Sequence, residues 1–236
     1  DWVLAAADAG EVFAFGISEA GNDAVLWDSQ TRVERVDGGY AFTGTKIFTS
    51  LAPAWTRLGI FGRQESGPGT DDGPRLVHGF LRREIPGIDP PGVTTLDDWD
   101  ALGMRASGSR STVLDGAFVP DALVSRILPL GPSADPFVFG VFANFLLGIA
   151  AVYAGIGDRA LELAVDAAGR RRSRRTGRTY AEDPDLRWRI AEMALALDPL
   201  AFELERLASD VDGLVDHGTA WFRKLTGAKH RATETA

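Results

Sequence analysis

Cysteine is absent from all 236 residues, so disulfides and thiolate chemistry are excluded, and cysteine usage leaves the compartment open. Histidine is scarce. His78, His217 and His230 lie far apart without metal-ligand spacing, which argues against a histidine-rich zinc site, and no metal is expected. Positive charge is in deficit: 25 Lys and Arg stand against 33 Asp and Glu, and a net charge of −8 argues against a general nucleic-acid binder. No secretory signal is visible, and a cytoplasmic location is the expectation. The chain opens at Asp1 without an initiator methionine and ends at Arg231–Ala236 in helical texture without a glycine or proline stop. It therefore reads as a fragment of a longer protein. Repeats and low-complexity segments are also missing.

What remains is of globular composition, 45% apolar and 25% charged, long enough for one large or two ordinary domains. Residues 1–9 read as a helix end with Gly10 as its C-cap. Glu11–Ser18 reads as a strand, followed by a turn-rich loop over Ser18–Asp23. Arg32–Val36 alternates polar and apolar, Asp37-Gly38 is a two-residue hairpin signal, and Tyr40–Ser50 is the return strand. Leu58–Phe61, Leu76–Leu81 and Ser111–Leu114 also read as strands, and residues 64–74, rich in Gly, Asp and Pro, as an exposed loop. After Pro132 and Pro136 the texture becomes helical. Residues Pro136–Gly157 carry no charge, a length that could cross a membrane. Against a span stand Asn144, four glycines, the direct continuation into Arg159–Val165 and the lack of basic anchors on the N-terminal side. A helix buried in a bundle or between subunits is the better reading. Leu186–Leu207 has helical periodicity, with Pro199 expected to kink or break it, and residues 211–236 form another helical candidate. The fold class is α+β, an antiparallel β-barrel or sandwich over residues 1–125 followed by an antiparallel helical bundle over 126–236.

Three stretches, in order, resemble the acyl-CoA dehydrogenase-like flavoproteins: Phe15-Gly16-Ile17-Ser18-Glu19-Ala20-Gly21-Asn22-Asp23, then Gly44-Thr45-Lys46-Ile47-Phe48-Thr49-Ser50, then Leu102-Gly103-Met104-Arg105-Ala106-Ser107 running to Val119-Pro120. The first is about two residues shorter than the family's loop and lacks its proline. The resemblance implies a β-domain and most of a C-terminal helical domain around FAD. It implies that Phe15, Ile17, Ser18, Phe48, Thr49 and Ser50 line the flavin. Backbone N–H groups near Ile17 and the Ser18 hydroxyl would face its pyrimidine side, where charge develops on reduction. Phe48 would pack on the ring and Ser50 would donate toward N5. Asp23 and Arg105 would lie on the substrate side, and Glu19 and Asp23 would hold the loop through hydrogen bonds. One or two of six arginines in residues 170–178, Arg171 first and Arg172 or Arg174 next, would reach the cofactor's pyrophosphate, because a guanidinium fork matches phosphate. Read without the family, Ser18 is a turn hydroxyl, Phe48 is core, Ser50 caps a strand, Arg105 is a salt-bridged structural residue, Trp99 packs, and the arginines are a solvated helix end.

The resemblance further implies an FAD-dependent oxidoreductase of fatty acid metabolism that dehydrogenates an acyl thioester and passes hydride to flavin N5. It would be a homo-oligomer, dimer or tetramer, on a small-molecule substrate such as an acyl-CoA. The family's glutamate base falls beyond Ala236, so no catalytic residue is named. Val141–Leu146 is almost wholly apolar where relatives carry polar groups for CoA. A reduced-flavin monooxygenase of the same superfamily, acting on an apolar or aromatic substrate, is therefore the alternative. A non-catalytic fragment that oligomerises through its long apolar helix is the third reading.

Overall fold

The computed structural model describes residues 2–66 and 73–236. The expected loop over 64–74 therefore lies largely outside the described residues. The chain divides into two compact units between Ala134 and Asp135.

Among the described residues the first unit opens with helix α1 (Trp2–Asp8) and holds eight strands: β1 (Phe13–Gly16), β2 (Arg32–Val36), β3 (Gly39–Thr49), β4 (Arg57–Gln64), β5 (Arg75–Arg82), β6 (Val93–Thr95), β7 (Arg110–Pro120) and β8 (Val124–Pro129). They form one sheet in the order β6-β7-β3-β2-β4-β5-β8, with β1 added on β4. Pairing is mostly antiparallel, but β1 runs parallel to β4, and so does the start of β2. The expected boundary at 125/126 falls inside β8. That strand pairs with β5 and so belongs to the first unit. β6 and β8 had not been anticipated.

The register of β2 and β3 pairs Val36 with Gly39, so the turn is the two residues Asp37-Gly38. Gly38 has φ of 73°, the left-handed conformation such a turn needs. β3 is the central beam, with β2 on one edge and β7 on the other. Its inward residues Tyr40 and Phe42 join Leu58, Val77, Leu114, Ala117 and Val119 in the core. The register with β7 slips between Phe42 and Gly44 and again between Lys46 and Thr49. The second irregularity re-aims the end of the strand, as bulges do.

The second unit holds α2 (Pro136–Arg170), α3 (Pro184–Asp212) and α4 (Ala220–Thr235). α2 and α3 each begin with proline after a capping aspartate. Asp135 accepts from Phe137 N at 2.8 Å, and Asp183 from Asp185 N at 3.0 Å. α2 turns small residues inward: Ala143, Ala150, Gly157 and Ala168 are buried. A Cβ on Gly157 would come within 2.4 Å of the Leu197 side chain, so any larger residue here would have to displace that buried leucine. α3 runs through Pro199 without a break, so of the expected kink or break the break does not occur. The helical candidate over 211–236 is interrupted, since residues 213–219 form the connection to α4. α2 is long and apolar enough to cross a membrane by length and composition, with only 22% of its most apolar window buried.

Candidate functional site

All three sequence motifs meet at the C-terminal end of β3, and a buried ion pair assembles the first of them. Lys46 is an inward residue of β3 with no exposed side-chain surface. Its Nζ lies 2.6 Å from Glu19 Oε1 and donates to Phe61 O at 2.7 Å. Glu19 gathers the rest of its loop. Its Oε1 accepts from Ser29 Oγ (2.7 Å), Thr31 N (3.0 Å) and Thr31 Oγ1 (2.6 Å), and its Oε2 from Gln30 N (2.7 Å) and Asn22 Nδ2 (2.8 Å). One carboxylate thus ties residues 19–31 to the sheet. Burial raises its pKa, but Lys46, Thr31 and Gln30 lower it further, to about 2. Burial pushes the Lys46 ammonium down to about 8, against the pull of Glu19. The pair is ionised at neutral pH.

With the loop fixed, Ser18 forms a bridge to Ile47, whose N–H donates to Ser18 O at 2.9 Å. The loop therefore runs directly beside Phe48. Beyond Lys46 the backbone turns sharply: Phe48 has φ of 54°, and Ser50 N–H donates back to Phe48 O at 2.9 Å. A left-handed bulky residue is costly and marks a functional candidate. The turn throws the Phe48 ring outward, where it stays 60% exposed.

The third motif closes the other side. Leu51 N–H donates to Ser107 O at 2.8 Å. The Ser50 and Ser109 hydroxyls are 2.8 Å apart, and those of Ser109 and Ser107 2.7 Å. Residues 97–100 are tethered over this end of the sheet. Asp97 pairs with Arg110 at 2.7 Å, and Asp98 accepts from Ser111 N at 2.9 Å. Trp99, held in that loop, meets Phe48 edge-on with centroids 6.3 Å apart. The result is an exposed aromatic face with the Ser50 hydroxyl on one side and the Ser18 backbone alongside. An apolar surface with donors on its border fits a flat heteroaromatic ring with a polar edge, and a flavin is such a ring.

The other expected residues are placed as follows. Ile17 and Ser18 are half-buried beside Ile47. Phe15 is exposed on the outer face of β1, its ring 6.0 Å from Phe80. Thr49 points inward, fully buried, toward Gly16, so only its backbone can face a ligand. Asp23 is exposed at the loop tip, while Asn22, not Asp23, braces the loop. Arg105 is not brought to the hydroxyls. It lies 3.3 Å from Asp100 and donates to Ala101 O at 3.2 Å, closing its own loop. Arg171 and Arg174 belong to the second unit, in an exposed loop pinned by the Arg172–Thr179 bridge and by Ser173 N–H donating to Arg178 O at 2.9 Å. The sequence reading gave no role to Lys46, Ser109 or Arg110. The Ser107-x-Ser109 spacing beside Arg110 was the available signal, but its meaning depends on which strand lies opposite.

Residues 147–236 match the family model described as acyl-CoA dehydrogenase, C-terminal domain. An L-evernosamine nitrososynthase of Micromonospora sp. is 38% identical over 144 residues, 59% of this chain and 31% of that protein. An amino sugar nitrososynthase of Streptomyces peucetius is 32% identical over 201 residues, 82% of this chain and 45% of that protein. A putative acyl-CoA dehydrogenase of Bacillus subtilis is 27% identical over 243 residues, 96% of this chain and 58% of that protein. Among solved structures, an acyl-CoA dehydrogenase from Geobacillus kaustophilus superposes with a TM-score of 0.78 at 17% identity, over 99% of this chain and 58% of that one, a likeness of fold. KijD3 in complex with FMN and dTDP-3-amino-2,3,6-trideoxy-4-keto-3-methyl-D-glucose gives 0.74 at 26% identity, over 95% of this chain and 52% of that one. The chain thus spans between 28% and 58% of the length of the curated relatives it matches.

Proposed function

Because this chain belongs to the acyl-CoA dehydrogenase-like superfamily of flavin-dependent oxidoreductases, we propose that its parent protein is a reduced-flavin monooxygenase that oxidises an amine nitrogen. The carrying observation is the likeness to two sugar nitrososynthases at 38% and 32% identity, above the 27% of the dehydrogenase relative. The substrate class is an amino sugar, in keeping with the sugar nucleotide in the KijD3 structure. The balanced step is R–NH2 + O2 + 2e− + 2H+ → R–NHOH + H2O. A flavin held here and reduced by an external donor would supply the electrons and the oxygen-activating chemistry. The chain's own residues do the rest. Phe48 and Trp99 form the apolar wall that limits water, Ser18 and Ser50 orient the ring by its polar edge, and the Glu19–Lys46 pair keeps the Ser18 loop in place.

The dehydrogenase reading stands second, favoured by the near-complete coverage of this chain by the Bacillus subtilis relative. The two readings separate in one experiment on the full-length protein. Under air, with a flavin reductase and a dTDP-amino sugar, the monooxygenase forms a product one oxygen atom heavier. Anaerobic bleaching of the flavin by an acyl-CoA, with no oxygenated sugar, would establish the dehydrogenase instead. Chromatography of the released cofactor identifies it as FAD or FMN. FAD is the form for which Arg171 and Arg174 would serve as pyrophosphate ligands.

A further inference from the structure

The hydroxyls of Ser50, Ser109 and Ser107 form an unbranched chain with spacings of 2.8 and 2.7 Å. Ser50, at one end, is exposed beside Phe48, whereas Ser109, in the middle, is only 8% exposed. Each serine hydroxyl carries one proton and can either donate or accept. Leaving a buried donor without an acceptor is costly, so Ser109 donates to one neighbour and accepts from the other. The chain then has two polarities. With protons running from Ser107 toward Ser50, the Ser50 proton is free to point outward as a donor. With the order reversed, Ser50 donates inward and offers a lone pair outward. The two differ by three hydroxyl rotations, with no backbone movement.

We infer that this is a reversible hydrogen-bond relay in which Ser109 is a positioning residue, matching the outward face of Ser50 to the redox state of a bound flavin. The inference rests on the flavin reading above. Oxidised flavin presents N5 as an acceptor, and reduced flavin presents N5–H as a donor. A fixed donor serves only the first. A chain of hydroxyls that polarise one another serves both.

The test is titration of flavin-stripped, full-length protein with oxidised flavin and, anaerobically, with reduced flavin. Ser109→Ala is expected to raise both dissociation constants several-fold together. Their ratio then changes by less than tenfold, which for a two-electron couple is a midpoint shift under about 30 mV. Ser107→Ala touches neither Ser50 nor the ligand and leaves the Leu51–Ser107 backbone bond intact. It should give the same paired weakening to a smaller degree, and it keeps the test decisive if Ser109→Ala folds poorly. Ser107→Thr retains the hydroxyl and should restore both affinities. Weakening of one redox state alone would mean a fixed polarity and overturn the relay. Unchanged affinities in both variants would reduce Ser109 to a packing residue. A wild-type protein that binds flavin in neither state would overturn the flavin reading and the relay with it, an outcome distinct from either of these.

Discussion

Lys46 has no exposed side-chain surface, and its ammonium faces Glu19. Burial disfavours both charges, and their attraction roughly offsets that cost, so the pair fixes the loop more than it adds stability. Breaking it is different. Lys46→Met leaves a buried carboxylate unpaired and is expected to destabilise the protein by about 3–5 kcal/mol in chemical denaturation. Adding Glu19→Gln to that variant should recover part of the loss, because the amide still accepts from Ser29 and Thr31. The pH dependence has a definite sign. Glu19 titrates at about 2 when folded against 4.5 as a free group, so on acidification the unfolded chain takes up the proton first. The contribution is complete above about 4.5 and is lost between 4.5 and 2. Acid titration followed by near-ultraviolet circular dichroism should show this loss in the wild type and a flatter profile in the double variant. Phe48 offers a complementary case. At its φ of 54°, glycine relieves backbone strain of about 1–2 kcal/mol, partly cancelled by added freedom in the unfolded chain. Phe48→Gly is therefore expected to leave thermal stability unchanged or slightly raised while flavin affinity falls. A destabilised variant with full flavin affinity would contradict Phe48 as a ligand residue. Phe48 and Ser50 could be named together from the sequence because they sit in a contiguous motif with a fixed order, and the structure places both at the exposed end of β3. Ser109 was not, since its role exists only across the β3–β7 register, which pairs Thr49 with Arg110. Arg105 was read from its place in the motif, whereas the contact the structure gives it is with its nearest acid, Asp100, five residues before it.

β3 and β7 were readable as strands because β-branched and aromatic residues alternate in them and turn residues bound them. β6, three residues long, and β8, which carries Arg126 and ends at Pro129, fall below that signal and are strands only through their partners β7 and β5. The parallel pairing of β1 with β4 was equally hidden, since parallel neighbours need no local turn. α3 illustrates tertiary packing overriding propensity. Pro199 is exposed, yet Leu197 and Leu200 on either side of it are buried against the bundle and hold the helix together. Restoring the missing N–H with Pro199→Ala is therefore expected to raise the stability of the helical unit by about 1–3 kcal/mol, read as a higher melting temperature. Lowered stability would mean that the proline ring is itself required for packing.

The division into a β unit and a helical unit followed from composition, but the outward face of α2 did not, because periodicity alone cannot say which apolar residues are covered. Phe145, Val152, Ile156 and Leu163 recur at intervals of 7, 4 and 7 residues, fall on one side of α2 and remain exposed. A lipid partner for this stripe conflicts with the other two helices of the same unit. Glu192 and Asp198 on α3 and Arg223 on α4 are exposed charges on the same unit, which disfavours embedding it in hydrocarbon. We propose a second copy of the chain as the occupant of this stripe, since it is uncharged on an otherwise charged unit, which would extend the proposed function to a homo-oligomer. Val152→Glu introduces a charge at the centre of the stripe without touching the inward small residues. In sedimentation velocity the wild-type protein is expected to run as a dimer or tetramer and Val152→Glu as a smaller species with unchanged helix content. A wild type that sediments as a monomer and partitions into phospholipid vesicles would replace the second copy with a membrane as the partner of this face.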